Sequence, residues 1–325
     1  MDADQELQEV IKGRIGDDGD LNDARRQPDD DEEDNAPNPY DYRLFFEFYW
    51  HFYNCKIDDV TRGPTSRTPA SRIYPCVEVY LCRVIDLTAG LAWPIDVFGF
   101  IAARDSHDRK RNYIFNRERD NAQTLTAEDS TLVLTGPIRA ISCGHIIDFE
   151  IELKLRGKTK SDKDKVLSAR YIVYESFGAG ANVGLVRSEA RPGKRCSVEI
   201  TFAHLAKAVE AAIEVRIVQG SSDFYGRFVA RTDGYDEDVV LLDCTGSVPV
   251  TNGDGVIRLA RSVVVVESTG VLNLHVSTRT GHVENVFAEC HAEFAAQCLE
   301  SSRKILDLGF CKMLATISWS MIPMI

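Results

Sequence analysis

Short apolar runs that follow one another at close intervals are the feature that most restricts the fold of this 325-residue chain. The clearest run covers residues 77–85, where β-branched and polar side chains alternate. A period of two is typical of a strand with one buried and one wetter face. Because comparable runs continue to the C-terminus and few segments show long helical spacing, the sequence predicts an all-β body, antiparallel and similar to a β-sandwich.

Glycine, proline and polar clusters separate the runs and set the limits of the predicted strands. In this division, 196–202 and 211–219 are two separate strands. The strands predicted after 77–85 are 97–103, 112–116, 131–135, 146–155, 169–175, 196–202, 211–219, 227–231, 239–244, 256–259, 262–267, 271–277, 287–295 and 313–318.

A short internal sequence repeat, which we call the echo, indicates two related halves. Residues 98–105 read aromatic-Gly-strand-Arg-Asp, and residues 225–233 repeat that order 127 positions later. Each copy is followed by an apolar run that carries an arginine, Arg139 in the first and Arg261 in the second. The domain prediction is therefore an acidic tail over 1–38, an aromatic segment and linker over 39–73, a first β half over 74–177 and a second over 178–325, with one continuous domain as the alternative.

The first part of the chain differs in composition from the rest. Residues 1–34 hold fourteen acidic and four basic side chains, a balance of −10 out of a total of −12. Like charges with little apolar surface predict a disordered tail. Residues 40–53 are crowded with aromatic side chains. We predict a helix packed on the body there, with a docking surface as the alternative.

The body that remains is close to neutral, which argues against a nucleic-acid partner, because such binders usually carry a basic face. Nine cysteines without a Cys-x-x-Cys pair indicate reduced thiols, no metal site and a cytoplasmic location, with the nucleus as the alternative. No apolar run reaches about 18 residues, so no membrane span is predicted. The N-terminus lacks the pattern of a secretory signal, and no cofactor is expected.

Residues 93–139 concentrate the residues most suited to a site. Paired arginines and aspartates in loops at one end of the first half could hold an anionic ligand, or could brace those loops as an ion-pair network, which is the reading we prefer. The candidate residues, for structure or ligand binding and none of them catalytic, are Trp93, Asp96, Gly99, Arg104, Asp105, Asp108, Arg111, Arg117, Arg119, Asp120, Gln123 and Arg139.

Two other chemistries would use the same stretch. Asp86, Asp96, Asp105 and Asp108 could hold calcium, but the basic residues beside them oppose a cation. His107 between two aspartates is the one histidine with a base-like setting, although no Gly-x-Ser-x-Gly elbow or triad accompanies it.

Residues 93–139 also carry the motifs Trp-Pro-x-Asp-Val-x-Gly, Arg-Asn-x-Ile-Phe, Arg-Asp-x-x-Gln and Leu-Thr-Gly-Pro-x-Arg. This string resembles the core of a plant domain family of unknown function that is expanded in grasses. It is similar to the C-terminal domain of a jasmonate-induced cereal protein whose N-terminal part is a ribosome-inactivating N-glycosidase. The resemblance implies a likeness from about residue 41 to the C-terminus, and no assigned activity.

The N-glycosidase itself needs a helical Glu-Ala-x-Arg motif. Glu210-Ala211-Ala212-Ile213 has isoleucine where arginine is required, and Ser188-Glu189-Ala190-Arg191 brings the arginine too close. The catalytic half is therefore predicted to be absent.

The preferred hypothesis is a non-enzymatic scaffold that binds an unknown protein partner or itself, in a stress or defence setting that only the resemblance implies. Two alternatives stay open. An enzyme or ribosome-directed partner would need Arg104, Asp105, His107 and Asp108 in one concave pocket. A calcium- and lipid-binding β-sandwich would need carboxylates that face one another.

Overall fold

The computed structural model describes residues 58–64, 71–144, 146–157, 159, 162–176, 183–280 and 287–323. The chain divides into two compact units, Met1–Ile57 and Asp58–Ile325, and every described residue belongs to the second. The acidic tail and the aromatic segment 40–53 lie outside the described residues. In the described part the secondary structure is almost entirely β, which confirms the predicted fold class.

The strands are numbered along the chain, and every pairing between them is antiparallel. One turn of 3-10 helix, Arg119–Asn121, precedes the fifth strand. The strands are β1 (Ser71–Arg72), β2 (Tyr74–Ile85), β3 (Ile95–Arg104), β4 (Asn112–Arg117), β5 (Gln123–Leu125), β6 (Ile141–Ser142), β7 (Ile146–Leu155), β8 (Lys165–Glu175), β9 (Val186–Pro192), β10 (Ser197–Gly220), β11 (Phe224–Thr232), β12 (Val239–Asp243), β13 (Val263–Glu267), β14 (Val271–Thr280), β15 (Phe287–Ala295), β16 (Ser301–Asp307), β17 (Cys311–Ser320) and β18 (Ile322–Pro323).

A seven-stranded sheet forms the middle layer. Its order is β16-β17-β10-β2-β6, and β9 and β13 also pair with β10. A five-stranded sheet, β4-β3-β7-β8 with β5 beside β3, supplies the second wall of one hydrophobic core. A four-stranded sheet, β12-β11-β14-β15, supplies the second wall of another. The short strands β1 and β18 pair with each other.

Strand β10 runs without a break for 24 residues and takes part in both cores. Its first part, as far as Ala208, pairs with β2 and β9. Its second part, from Ala208 to Gly220, pairs with β13 and β17. The predicted break between 202 and 211 is wrong, because residues 203–210 contain no glycine or proline and most of them are buried.

The pairing scheme of the first strands is repeated by the later ones. In the first run, β2 pairs with β6 and β10, β3 with β4 and β7, β7 with β8, and β9 with β10. In the second run, β10 pairs with β13 and β17, β11 with β12 and β14, β14 with β15, and β16 with β17. Each run, with β5 set aside, is a sandwich of four strands on four. We call them the first sandwich and the second sandwich, and β10 closes one and opens the other. The predicted division at residue 177/178 stays a prediction.

The echo in the sequence falls at matching places in this scheme, on β3 and β11. Gly99 has a φ of 111°, and a Cβ there would overlap the carbonyl oxygen of Glu152 on β7. A Cβ on Gly226 would overlap the carbonyl oxygen of Ser277 on β14. Glycine is therefore required in both sandwiches because the neighbouring strand approaches too closely for any side chain.

Aromatic side chains fill both cores. In the first, the ring of Phe202 lies 5.5 Å from Phe149 and 5.1 Å from Tyr174, centroid to centroid. In the second, Phe224 and Phe228 are 6.3 Å apart. Each fully buried side chain of this size contributes roughly 1.5–3 kcal/mol through burial.

Several local predictions differ from the structure. The predicted strand 256–259 is wrong, because Val256 and Ile257 make only isolated bridges, to Arg216 and Thr251. Residues 131–135 form no strand and make only an isolated bridge from Thr131 to Arg83. Strands β9 and β16 were not predicted. Both lie at an edge of the middle sheet with most residues exposed or half-buried, so their side chains show no apolar alternation that the sequence could reveal.

Candidate functional site

Six charged side chains meet where β3, β4 and β7 approach the start of β6. Five of them are no more than 4% exposed. Because isolated buried charges are costly, such groups must be paired. We call them the arginine–carboxylate cluster: Arg104 at the end of β3, Asp105 and Asp108 in the β3–β4 turn, Arg111 just before β4, Arg139 just before β6 and Glu150 in β7.

Arg139 holds the β3–β4 turn. Its Nη1 and Nη2 atoms donate to the two carboxylate oxygens of Asp105 at 2.6 and 2.9 Å. Nη2 also reaches Asp108 at 2.8 Å, and Nε donates to the hydroxyl of Thr61 at 2.9 Å. Burial on its own lowers the pKa of Arg139, but Asp105 and Asp108 outweigh burial and raise it. The guanidinium group therefore stays charged and fixed in place.

The two aspartates tie the turn to its surroundings. Asp105 accepts the main-chain N–H groups of His107 at 3.0 Å and of Ser142, on β6, at 2.7 Å. Asp108 accepts the Thr61 hydroxyl at 2.6 Å. Although burial opposes it, Arg139 and Thr61 lower the pKa of Asp108. The lowered pKa keeps Asp108 ionised, and the hydrogen bonds of both aspartates fix the backbone around them.

Glu150 neutralises two arginines from the middle of β7. Arg111 donates to its Oε1 at 2.6 Å and to its Oε2 at 2.9 Å, and Arg104 Nε donates to Oε2 at 3.0 Å. The guanidinium carbon of Arg111 also lies 4.5 Å from the ring centroid of Phe100, a cation–π contact. Burial would lower the pKa of Arg111, but the bonds and charge of Glu150 outweigh burial and raise it.

Sequence reasoning missed Glu150 and Asn112. The signal for Glu150 was an acidic residue in the middle of the apolar run 146–155. Asn112 Nδ2 donates to the carbonyl oxygen of Arg139 at 2.8 Å, and its Oδ1 accepts the N–H of Ile138 at 3.0 Å. These two hydrogen bonds hold the segment before β6 in place. No local sequence pattern around Asn112 predicts them.

The other seven predicted residues take part in separate interactions. Asp96 binds Arg156 at 2.7 Å, and Arg119 binds Asp164 at 2.8 Å. Arg117 makes a long bond of 3.4 Å to the carbonyl oxygen of Asn121. Trp93 packs against the first core, Asp120 lies in the 3-10 turn, and Gly99 is the close-contact residue of β3.

The side-chain amide of the seventh, Gln123, makes the hydrogen bonds that the main chain of a neighbouring strand would make. Its Nε2 donates to the carbonyl oxygen of Thr131 at 2.7 Å, and its Oε1 accepts the N–H of Val133 at 2.9 Å. The side-chain amide therefore satisfies the main-chain groups that a neighbouring strand would otherwise pair with. This explains why 131–135 is extended but not paired as the predicted strand.

A second set of buried charges joins the two sandwiches. Glu78 on β2 binds the guanidinium group of Arg261, which precedes β13, and accepts the N–H of Val265 at 2.5 Å. In the opposite direction, Glu210 on β10 accepts the N–H of Ala140, which precedes β6, at 2.6 Å. Glu78, Glu210 and Arg261 are all buried. The sequence had drawn attention to Arg261 as part of the echo and to Glu210 only in the comparison with the N-glycosidase motif, and Glu78 was missed.

Three of the cavities at the surface are lined by described residues. One of about 540 Å³ lies between β2, the segment 129–134 and β12, and one of about 610 Å³ lies beside the β2–β3 and β7–β8 turns. The third, of about 260 Å³, lies on the second sandwich near Tyr225. None of the three is lined by Arg104, Asp105, His107 or Asp108. The pocket that the enzyme hypothesis required is not among them.

Other potential reactive groups are buried in structural positions. Glu210, which begins the Glu-Ala sequence compared with the N-glycosidase motif, is fully buried in β10. Burial raises the pKa of each of three thiols, Cys82, Cys143 and Cys196, to about 12. At neutral pH these groups hold almost no thiolate, the form that reacts.

Calcium is expected to leave the thermal stability unchanged. Asp105 and Asp108 both contact Arg139, and Asp96 contacts Arg156, so a cation would have to displace an arginine. Among the described residues no three His, Cys, Asp or Glu side chains are grouped to hold a metal ion. Thermal unfolding with and without millimolar calcium tests this prediction, and a rise in Tm that a chelator reverses would contradict it.

His204 is expected to destabilise the fold as the pH falls below 6.5. It is 4% exposed, and its Nδ1 lies 2.9 Å from the hydroxyl of Tyr174. Burial lowers the pKa of His204 below its usual 6.5. The unfolded chain therefore takes up a proton that the folded chain resists, so stability is complete above pH 6.5 and is lost as pH drops from there toward the lowered pKa.

Denaturant titrations of the wild type and of His204→Gln between pH 5 and 7.5 measure this effect. The difference in slope is expected to reach at most about 1.4 kcal/mol per pH unit. Parallel pH profiles of the two proteins would show that His204 is not the group responsible.

Comparisons with known proteins place the chain in a family but supply no activity. Among solved structures, human GIVD cytosolic phospholipase A2 in complex with methyl gamma-linolenyl fluorophosphonate is 10% identical, with 79% of this chain and 33% of that chain covered and a TM-score of 0.24. A two-domain fragment of Extended-Synaptotagmin 2 is 7% identical, with 82% of this chain and 99% of that chain covered and a TM-score of 0.23. The chain spans about a third of the length of the phospholipase.

Among curated protein sequences, none matches this chain. In the part that the structure describes, no helix has the length and apolar character needed to cross a membrane. Residues 76–317, which include most of both sandwiches and the whole arginine–carboxylate cluster, match one family profile. The chain belongs to the family described as Domain of unknown function, DUF6598.

Proposed function

We propose that the chain is a non-enzymatic, protein-binding scaffold whose two sandwiches act as one rigid body. The arginine–carboxylate cluster carries this proposal. Its three arginines and three carboxylates bind one another and nearby main-chain groups. A catalytic acid or base must reach a substrate and exchange a proton with it. The charged groups of the cluster are held by one another and lie away from the three cavities, so they are suited to bracing loops and not to proton exchange with a substrate.

The ties between the sandwiches support the same proposal. The bonds of Glu78 to Arg261 and of Glu210 to Ala140 each join one sandwich to the other. Breaking such a buried pair is costly, so the pairs restrict the relative movement of the sandwiches. A rigid body presents its loops and strand edges in fixed positions, which lowers the entropy lost on binding.

The setting of the proposed scaffold comes from resemblance alone. The similarity to the plant domain family suggests a stress or defence role. Its relative that is fused to an N-glycosidase suggests that such domains accompany other proteins. The buried position of Glu210 speaks against an N-glycosidase activity at that motif in this chain.

The test is an affinity purification with the full chain as bait, followed by calorimetric titration of each recovered protein with the purified chain. We expect at least one saturable, direct interaction. The Gly99→Ala chain, expected to be misfolded, serves as the control for binding that needs no folded surface.

Two results would count against the scaffold. One is that no recovered protein binds the purified wild type directly. The other is turnover by the purified chain in a panel of hydrolase, N-glycosidase and transferase substrates that is lost in Asp105→Asn.

A further inference from the structure

The outer edge of β15 differs from its counterpart in the first sandwich. The counterpart, β8, is also paired on one side only, but side chains cover part of its other side. Arg195 Nη1 donates to the carbonyl oxygen of Val166 at 2.7 Å. The thiol of Cys196 lies 3.9 Å from the carbonyl oxygen of Leu167. The first sandwich thus protects its edge strand with the turn between β9 and β10.

The second sandwich has no such protection in the described residues. The turn between β16 and β17 makes its hydrogen bonds within itself, around Leu308 and Gly309. Among the described residues, the main chain of β15 is bonded to β14, and otherwise only to the thiol of Cys290. Unpaired N–H and C=O groups along an edge are a template for another strand.

The sequence of β15 does not block such pairing. Its nine residues, FAECHAEFA, contain no proline, lysine or arginine, and its register with β14 runs without a bulge. Proline, bulges and charged side chains usually prevent addition of a further strand, and the charged side chains of β15 are both acidic, so they do not oppose a basic strand. Lys304 of β16 lies 5.6 Å from the ring of Phe294 and borders the C-terminal end of β15. The open part is therefore Phe287 to Glu293.

The exposed side chains of β15 indicate what would bind there. Glu289 and Glu293 point to solvent from alternate positions, and Phe287 is 58% exposed at the start of the strand. A second copy is disfavoured, because antiparallel pairing centred on His291 puts Glu289 opposite Glu293 of the other copy. A strand with basic side chains at alternate positions complements both glutamates.

We propose that β15 binds an extended, basic segment of a partner protein by antiparallel strand addition. Main-chain hydrogen bonds along residues 287–293 supply the affinity, and lysine or arginine side chains opposite Glu289 and Glu293 supply the selectivity. This inference rests on the proposed scaffold function and names its docking site.

The probe is a fluorescein-labelled peptide of sequence TKVKVKVT, titrated into the full chain at low salt. In Glu289→Gln/Glu293→Gln, binding is expected to weaken about tenfold, since each exposed ion pair is worth about threefold. Asp236→Asn/Glu237→Gln is the matched control, because those acids line the 540 Å³ cavity instead. That control is expected to bind like the wild type. Equal Tm values would show that all three proteins are folded.

Two peptides with methylated main-chain nitrogens test the main-chain pairing. One carries the methyl groups on the main-chain nitrogens of its lysines and the other on those of its valines. In a strand pair, alternate N–H groups face the partner, so one of the two should lose binding and the other should keep it. The inference is overturned if the parent peptide does not bind, if both methylated peptides bind like the parent, or if the Asp236/Glu237 variant loses binding while the Glu289/Glu293 variant keeps it.

These outcomes are separable from failure of the scaffold itself. If a protein recovered by affinity purification binds wild type and Glu289→Gln/Glu293→Gln equally, the β15 site is wrong and the scaffold function stands. If no recovered protein binds the wild type, the scaffold function fails.

Discussion

Replacing Arg139 with methionine is expected to lower the free energy of unfolding by about 3–5 kcal/mol, the usual cost of removing one partner from a buried ion pair. The substitution leaves Asp105, which is 1% exposed, without its guanidinium partner. Since domains are stable by only about 5–15 kcal/mol, the variant should lose a large part of its stability. Urea denaturation at neutral pH measures the difference.

Two further variants show whether the unpaired charge is the cause. Arg139→Met/Asp105→Asn removes the charge but keeps the oxygen that accepts from Ser142, so it should recover part of the lost stability. Arg119→Ala breaks an exposed pair with Asp164 and should leave the denaturation midpoint unchanged. If Arg139→Met behaved like Arg119→Ala, the arginine–carboxylate cluster would not brace the fold.

Gly99→Ala is expected to be strongly destabilising, because the added methyl group meets both backbone strain and a steric overlap. The residue has a φ of 111°, a conformation that strains any side chain, and the new Cβ would overlap the Glu152 carbonyl oxygen. Strain of roughly 1–3 kcal/mol adds to about 1–3 kcal/mol of overpacking. Backbone atoms cannot rotate away as a side chain could, so β3 and β7 must separate.

Circular dichroism and thermal unfolding would measure the loss. Gly63→Ala is the matched control, because Gly63 also has a positive φ, of 50°, but no atom lies within 4 Å of the added Cβ. It should cost only the backbone strain. Equal effects of the two substitutions would show that the close approach of β7 does not matter.

The all-β class and most strands could be predicted because they follow from local patterns. Alternating side chains reveal a strand wherever one of its faces is buried, as in β2. The echo between β3 and β11 was also visible, since both sandwiches need glycine at one place. The same method fails for β9, where both faces are wet and no alternation results.

Pairing partners were harder to predict, because they lie far apart in the sequence. The arginines of residues 93–139 stood out, but Glu150, the acid that binds two of them, lies outside that stretch, in the predicted strand 146–155. Gln123 was singled out without a role, and its bonds to Thr131 and Val133 depend on where the chain returns. Asp105 and Asp108 could be predicted from the sequence, but Glu150 could not be assigned to the cluster.

The strand shared by both sandwiches, β10, affects how the protein unfolds on heating and how it tolerates cleavage of the chain. Since β10 contributes buried side chains to both cores, unfolding of one sandwich removes part of the core of the other. Heating should then give one calorimetric transition for the pair. The two sandwiches meet without a linker, so their mutual orientation is set by the continuous backbone of a single strand. Severing the chain within residues 197–207 breaks the strand that completes the first sandwich, and severing it within residues 209–220 breaks the strand that completes the second.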